Sequence, residues 1–482
     1  MGKSGARWRS YLLADVDGAS LALFRIAFGA LMLWEVVRYF ALDRIHRYYI
    51  EPKLFFGHLP FIAPWGGSGM VYHFLLLGAL AILIAAGLFY RVAAPLFCAA
   101  FTYVFLLDKT HYLNHLYLVC LVSLLLAFIP ANRVWSLDRL RSRSAAPETV
   151  PRWSLLILRA QIVMVYFYGG LAKLNGDWLR GQPLGMWLAD RTDMPVIGPL
   201  LGLPAAGLAL SYAGLLIDLS AGFLLAFRRT FAIGATICVL FNLLNAILFS
   251  IGIFPHFMVL SLVLFVDPAW PRREWRRIRK IEEPSAPEKP EEVEEPSAAA
   301  PATSWSGRRR AATYAGLVLL HGYLLVQVLL PLRHWLYPGD VAWTEAGHRF
   351  SWRMKLRDKD VADVGFYVVD PATRTRERVD LEAWLTARQI DEMGAHPDMI
   401  LAFARFVADR HLARTGAVPI VTAEVSVSLN GRPYRYQVDP RADLAAASAG
   451  SWIDRVTVNR RGERGPSAVQ PAGKREPGGI LP

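Results

Sequence analysis

Residues 241–277 read FNLLNAILFSIGIFPHFMVLSLVLFVDPAWPRREWRR. Two apolar runs flank a short SIGIFP turn, and the second run ends in arginines. Apolar length on both sides of a tight turn, closed by a basic flank, predicts a helical hairpin in a membrane. Working outward, the first 340 residues hold repeated apolar runs, of roughly the 17–25 residues that cross a bilayer core. Nine candidate spans follow: 20–40, 71–90, 92–107, 115–130, 154–172, 205–227, 230–250, 254–267 and 312–333. The third and eighth are short, so eight or nine crossings are expected. A hydrophobic content of 54% and a mean hydropathy of +0.29 argue against a soluble protein. The fold class predicted is a polytopic α-helical membrane protein of eight or nine transmembrane helices, with a small extracytoplasmic α+β domain at the C-terminus.

A net charge of +13 would suit nucleic acid if it were spread over a soluble face. Instead the arginines sit in short loops beside apolar runs: Arg139, Arg141 and Arg143; Arg228 and Arg229; Arg272 to Lys280; Arg308 to Arg310. That is the positive-inside pattern, so the expected partner is lipid, not nucleic acid. The N-terminus is placed in the cytoplasm and the region after residue 334 outside it, in a bacterial inner or plasma membrane. The loop 41–70 resists, with Arg44, Arg47 and Lys53 on the outer side. The first 19 residues lack the apolar core and small-residue site of a cleavable signal. Cys98, Cys120 and Cys238 all fall in apolar segments and read as buried free thiols.

The domain plan follows. Residues 1–280 form a transmembrane catalytic domain with the first eight helices. Residues 281–311, rich in proline, glutamate, serine and alanine, form a disordered cytoplasmic linker. Residues 312–339 are the last transmembrane helix and its connector. Residues 340–457 are the extracytoplasmic α+β domain, and 458–482 a disordered tail. Within the outer domain, HRFSWRMKL (348–356) and DVGFYVVD (363–370) alternate like strands. LEAWLTARQ (381–389) and DMILAFARFVADRHLA (398–413) have helical spacing. TAEVSVSLNGRPYRYQVD (422–439) predicts a hairpin turned at Asn430-Gly431.

Several residues carry chemistry. Lys173 ends a long apolar stretch. A lysine there either snorkels to the interface or serves as a base, because desolvation disfavours the ammonium form. His115, in LLDKTHYLNHLYL (106–118), is either a satisfied helix-end residue or a hydrogen-bond donor aimed at developing negative charge. Arg25 and Asp218 lie inside apolar helices, at depths about one turn apart, and predict a structural ion pair. No metal-ligand cluster is evident.

Together, LLDKTHYLNHLYL, VYFYGGLAKLNGDW (165–178) and the 241–277 hairpin resemble the membrane domain of the vitamin K-dependent gamma-glutamyl carboxylases, within the HTTM superfamily. The resemblance spans about residues 15–455. It implies that Lys173 is the base that deprotonates reduced vitamin K, and that His115 stabilises oxygenated vitamin K or the carbanion. It places Asn114 beside His115, and Asn245, Ser250 and Phe254 at the turn where a naphthoquinone ring would rest, although a packed hairpin would look the same. His334, Trp343 and Trp352, in the 329–355 segment, and Arg441 match the family and would hold a glutamate carboxylate or join the domains. Departures are Ala172, where the family has a second lysine, and His111, where it often has serine. No cysteine follows Cys238 to staple an outer domain.

The implied activity couples oxygenation of reduced vitamin K (phylloquinone or menaquinone hydroquinone) to its epoxide with carboxylation of glutamate side chains. O2 and CO2 are co-substrates and no metal is required. Partners would be membrane lipid, quinone and a glutamate-containing secreted or membrane protein or peptide. Two alternatives stand beside it: a quinone epoxidase or oxidase without a peptidyl-glutamate substrate, and a non-enzymatic quinone- or lipid-binding membrane module.

Overall fold

The computed structural model describes residues 3–143, 147–249, 251–279, 307–370 and 373–446. The disorder expected for 281–311 and 458–482 falls almost wholly outside these residues. At the end of the first stretch, a helix already begins at Gly307.

The apolar runs form α1 (Ala19–Ala41), α2 (Gly69–Ala86), α3 (Tyr90–Leu107), α4 (Asn114–Phe128), α5 (Trp153–Lys173), α6 (Pro204–Ala226), α7 (Phe231–Leu248), α8 (Phe254–Ser261) and α9 (Gly307–Leu329). Among the described residues, seven helices are long and apolar enough to cross a bilayer. The two shorter apolar helices are Asn114–Phe128 and Phe254–Leu264, so α4 and α8 are the short members, and α3 reaches 18 residues. Only 11% of the apolar window of α9 is buried. Its Val318, Leu319 and Leu325 are exposed, which suits a lipid solvent and no aqueous one.

Small residues set the closest helix contacts. A Cβ on Gly29 of α1 would stand 2.6 Å from the Ala85 nitrogen of α2, and one on Gly170 of α5 would stand 2.8 Å from the Leu219 side chain of α6. In a membrane such contacts replace the hydrophobic drive that lipid cannot supply.

Arg25 does not pair with Asp218. Its guanidinium is fully buried and donates to the carbonyls of Ala131 (3.1 Å), Ile84 (2.7 Å), Ala85 (2.7 Å) and Trp135 (2.5 Å). Ile84 and Ala85 end α2, where orphan carbonyls attract a cation. Gly87, at φ 63°, leaves room for it. At the same end Arg272, in the helix Trp270–Ile278 that follows α8, binds Asp17 and Glu148, tying it to the chain before α1 and the segment after α4.

The outer domain is a four-stranded antiparallel sheet with helices on one face. Its strands are β1 (Lys359–Val369), β2 (Arg376–Arg378), β3 (Ile420–Leu429) and β4 (Arg435–Tyr436), in the order β2-β1-β3-β4. The β1–β3 register runs from Lys359↔Leu429 to Val369↔Ile420. Val421, Ala423, Val425 and Val427 alternate along β3 and pack with Met399 and Phe403 of α11 (Pro397–Thr415). The other helix, α10 (Ala387–Ala395), begins later than the sequence pattern suggests, because Thr386 and Gln389 form a capping box that fixes its start.

HRFSWRMKL is not a strand. Phe350, Trp352 and Lys355 have φ of 65°, 54° and 49°, which breaks any ladder. Trp352 instead turns into the membrane-domain core beside Tyr117, with ring centroids 5.1 Å apart. Asn430 and Gly431 take φ of 51° and 71°, as a type I′ turn requires. The ladder resumes only at Val427↔Arg435, however, so the turn lies in a wider loop.

Polar contacts fasten this domain to the helices. Gln389 donates to the Leu54 carbonyl and to Asp108, both at 2.9 Å. Asn430 donates to Asp177 at 2.8 Å, and Asp398 accepts from Arg349 at 2.8 Å and pairs with Lys109 at 3.5 Å.

Candidate active site

Where the helices meet the outer domain, a cavity of about 720 Å³ opens. That lies within the range of small-molecule sites, about 300–1,000 Å³. Its apolar walls come from Leu210, Ala213 and Ile217 of α6 and Ile237, Phe241 and Leu244 of α7. Lys173, Asp218, Asn114, His115 and Asn245 supply polar groups, and a basic rim descends from the outer domain.

Lys173 and Asp218 form a buried ion pair across α5 and α6, with 7% and 5% of their surfaces exposed. Lys173 Nζ donates to Asp218 Oδ2. Two glycines open the space: a Cβ on Gly169 would lie 3.2 Å from Asp218 Oδ2, and one on Gly214 would lie 3.8 Å from Lys173 Cε. Trp178 closes one side, its ring centroid 5.3 Å from Nζ and its indole N–H held by the Ser211 carbonyl at 2.8 Å. The amine is therefore fixed in direction and shielded from bulk water. A snorkelling lysine would reach the opposite condition.

Asn114 opens α4, and His115 follows it on the cavity wall. The turn that faces them has Gly252 at φ 59°, where a Cβ would stand 3.5 Å from His115 Nε2 and 3.9 Å from Arg38 Nη1. Arg38 is itself held by Glu35 at 2.7 Å. Asn114 donates to the Arg353 carbonyl at 3.4 Å and accepts from the Tyr112 hydroxyl at 3.1 Å, which in turn accepts from the Phe350 N–H at 2.5 Å. The Asp108–His115 turn thus positions the 350–353 segment of the outer domain.

That segment supplies the rim. Arg349, Arg353 and Arg357 line the cavity, with Arg388, His348 and His396. Glu345 lies behind them, pairing with Arg357 and with Lys359 at 2.8 Å. Burial alone would raise its carboxyl, yet Arg357 and Lys359 overcome that and hold it well below the usual carboxylate range. Burial lowers Lys359 to about 8. Burial, reinforced by Arg349 and Arg357 against the opposing Glu345, pushes His396 down to about 4. A neutral His396 explains both of its contacts: Nδ1 lies 2.7 Å from the Glu392 carbonyl, and Nε2 lies 3.4 Å from Arg357 Nη2, which donates to it.

Lys173, His115, Asn114, Asn245 and Phe254 therefore line one cavity. Ser250 lies outside the described residues. The four residues expected to meet substrate do not line it. Trp352 is wholly buried in the core. Trp343 packs against the outer-domain core, and its carbonyl accepts from Lys359 and Gln437. His334 is held by the Pro331 carbonyl at 2.8 Å, and Arg441 is exposed elsewhere. Large aromatic and cationic side chains at a domain junction serve packing as readily as binding. Sequence reasoning missed the role of Asp218 beside Lys173, and also the rim. The fourfold spacing of Arg349, Arg353 and Arg357 was the available signal for the rim.

Two known families match the chain. Residues 13–270 match the HTTM domain. Residues 312–457 match the family described as vitamin K-dependent gamma-carboxylase, lumenal domain. No solved structure matches the chain.

Proposed function

The chain belongs to the HTTM family as a gamma-carboxylase-like membrane protein, and from that premise we propose that it couples oxygenation of reduced vitamin K to carboxylation of glutamate side chains. The observation that carries this reading is one cavity holding a buried Lys173–Asp218 pair at one place and an arginine rim at another. The residues fit a reduced naphthoquinone: α6 and α7 offer apolar walls, and Lys173, His115 and Asn245 offer polar partners for its oxygens. Reduced vitamin K, when bound, supplies the oxygen-derived base that removes a γ-proton from glutamate.

The protein's own groups prepare that chemistry. Lys173 can pass a proton to Asp218 Oδ2, which converts ammonium and carboxylate into amine and carboxylic acid without changing the proton count. In a low-dielectric site the neutral form of such a pair is accessible, because the ionic form must meet a large desolvation cost. Nζ is then free to accept a phenolic proton. His115 stands on the wall as a donor to developing negative charge. The apolar walls exclude water that would quench a strong base. The outer domain is assigned to the extracytoplasmic side and the N-terminus to the cytoplasm.

The test combines purified protein, reduced vitamin K, a glutamate peptide and labelled bicarbonate, with epoxide and labelled peptide followed together. Both products are expected in fixed proportion. Epoxide without labelled peptide would make the protein an epoxidase. Absence of quinol-dependent oxygen uptake would leave a binding module.

A further inference from the structure

We infer that Arg353 is the anchor for a carboxylate of an acidic peptide substrate. This rests on the proposed function and names a residue and a substrate class for its site. Most other rim cations are matched to carboxylates within the protein: Arg349 and Lys109 to Asp398, Arg357 to Glu345, and Arg388 to Glu392 at 3.7 Å. Lys355 instead rests over the Trp187 ring, 5.3 Å from its centroid. Arg353 is different. Only 9% of its surface is exposed, it lines the cavity, and its guanidinium has no hydrogen bond or ion pair among the described residues. Asp340 and Glu345 attract it only from beyond contact distance, and a largely buried guanidinium with no bonded partner is costly, so that partner is expected to arrive with a ligand.

The backbone around it is built to hold that direction. Phe350, Trp352 and Lys355 are in left-handed conformations, the Trp352 ring is locked in the core, and Asn114 holds the Arg353 carbonyl. Left-handed backbone at such residues costs energy and persists where the surroundings over-determine it. A planar fork held this way suits a carboxylate, which accepts two parallel hydrogen bonds. A peptide side chain fits better than a free anion, because the anchor sits on the outer domain while the Lys173 pair sits between helices. One ligand must present its carboxylate to the first and its reacting carbon toward the second.

The test is equilibrium binding of a short fluorescent peptide, terminally blocked and carrying one glutamate, to the full chain in lipid nanodiscs without quinone. Arg353→Gln should weaken binding by about 10- to 100-fold, the loss expected for one charge-assisted contact. Replacing the peptide's glutamate by glutamine should cost as much on its own, and should cost nothing further in the variant. Arg353→Lys should fall between. The unliganded Arg353→Gln protein should melt at or above the wild-type temperature, because a largely buried charge without a bonded partner has been removed. Wild-type affinity in Arg353→Gln, or equal binding of the glutamine peptide, would overturn the anchor. So would a lower melting temperature in both the Gln and Lys variants, which would make Arg353 structural. Inorganic phosphate and bicarbonate serve as competitors; displacement by either as readily as by glutamate would make this a small-anion site and overturn the peptide assignment. Binding needs neither quinone nor oxygen, so its failure with epoxide formation intact removes the anchor alone.

Discussion

Lys173 and Asp218 are neutralised by each other, so neither is well described alone. If Lys173 is the base, Lys173→Ala should abolish epoxide formation and carboxylation together, a loss of at least about 10²-fold, while leaving the protein folded. A small amine should restore part of the rate, rising with its free-base fraction. Lys173→Arg should stay inactive, because guanidinium does not give up its proton. Full activity in the arginine variant would remove the assignment. The pair also has a stability signature. Asp218→Asn leaves a buried ammonium unmatched and should cost about 3–5 kcal/mol in thermal or denaturant unfolding, whereas Lys173→Met with Asp218→Leu should recover most of it. A loss in the double variant equal to the sum of the two single losses would argue against a coupled pair. Arg25 behaves independently. Arg25→Ala strands the carbonyls that end α2 and should cost roughly 2–4 kcal/mol. Its effect should add to that of Asp218→Ala within about 0.5 kcal/mol. Strong coupling in that cycle would restore the ion pair that depth along the helices suggested. Depth was readable from the sequence. Lateral neighbours were not, because they depend on which helix faces which, and small residues such as Gly29 and Gly170 decide that through close contact.

The elements differ in how openly the sequence announces them. Long apolar helices and the β1–β3 pairing follow from period and length, which are local properties. The 348–356 segment does not, since its alternation is that of a strand while its backbone is set by docking of Trp352 into the membrane core. The same long-range contact brings Arg353 to the cavity, so the rim was illegible for the reason that the strand was misread. The rim also carries a pH dependence. His396 falls from an ordinary 6.5 to about 4 through burial, opposed by Glu345 and reinforced by Arg349, Arg357 and Lys359. A depressed value means that the unfolded chain binds the proton first. Its stabilising contribution is therefore complete above pH 6.5 and is lost as pH falls through 4, up to about 3 kcal/mol. Protonation would also set an N–H of His396 against Arg357. The outer domain should therefore loosen between pH 6.5 and 4, seen as lower amide protection factors in α10 and α11 once the intrinsic exchange rate at each pH is divided out. His396→Gln should flatten that dependence, and an unchanged acid profile in the variant would relieve His396 of the role.

At the scale of the whole molecule, the two ends of the bundle have opposite characters. One end gathers the chain before α1, the short helix Leu137–Ser142 and the basic helix Trp270–Ile278, joined through Arg272 to Asp17 and Glu148. The other gathers the turn before α4, the turn before α8, Lys173 and the outer domain around one cavity. Basic loops resist translocation, so the first end is assigned to the cytoplasm. The loop 41–70 was the exception in the sequence, and the structure gives its charges local duties: Arg44 lines the cavity 3.7 Å from Glu35, and Lys53 donates to the Ala383 carbonyl at 3.0 Å. A basic residue engaged by the protein is a weaker topological signal than a free one. The assignment has a direct test. Ser142 and Thr415 are both exposed, the first on the basic end and the second on the outer domain. Cysteine is introduced singly at each, in a background where Cys98, Cys120 and Cys238 are replaced by alanine. A membrane-impermeant maleimide should label the Thr415→Cys protein from outside intact cells, and the Ser142→Cys protein only in inverted vesicles. Labelling of both from one face would break the alternation of the helices, and with it the claim that the cavity opens toward an extracytoplasmic substrate. Reversal of the pair would keep the two ends distinct and would place the arginine rim, and whatever acidic peptide it serves, in the cytoplasm.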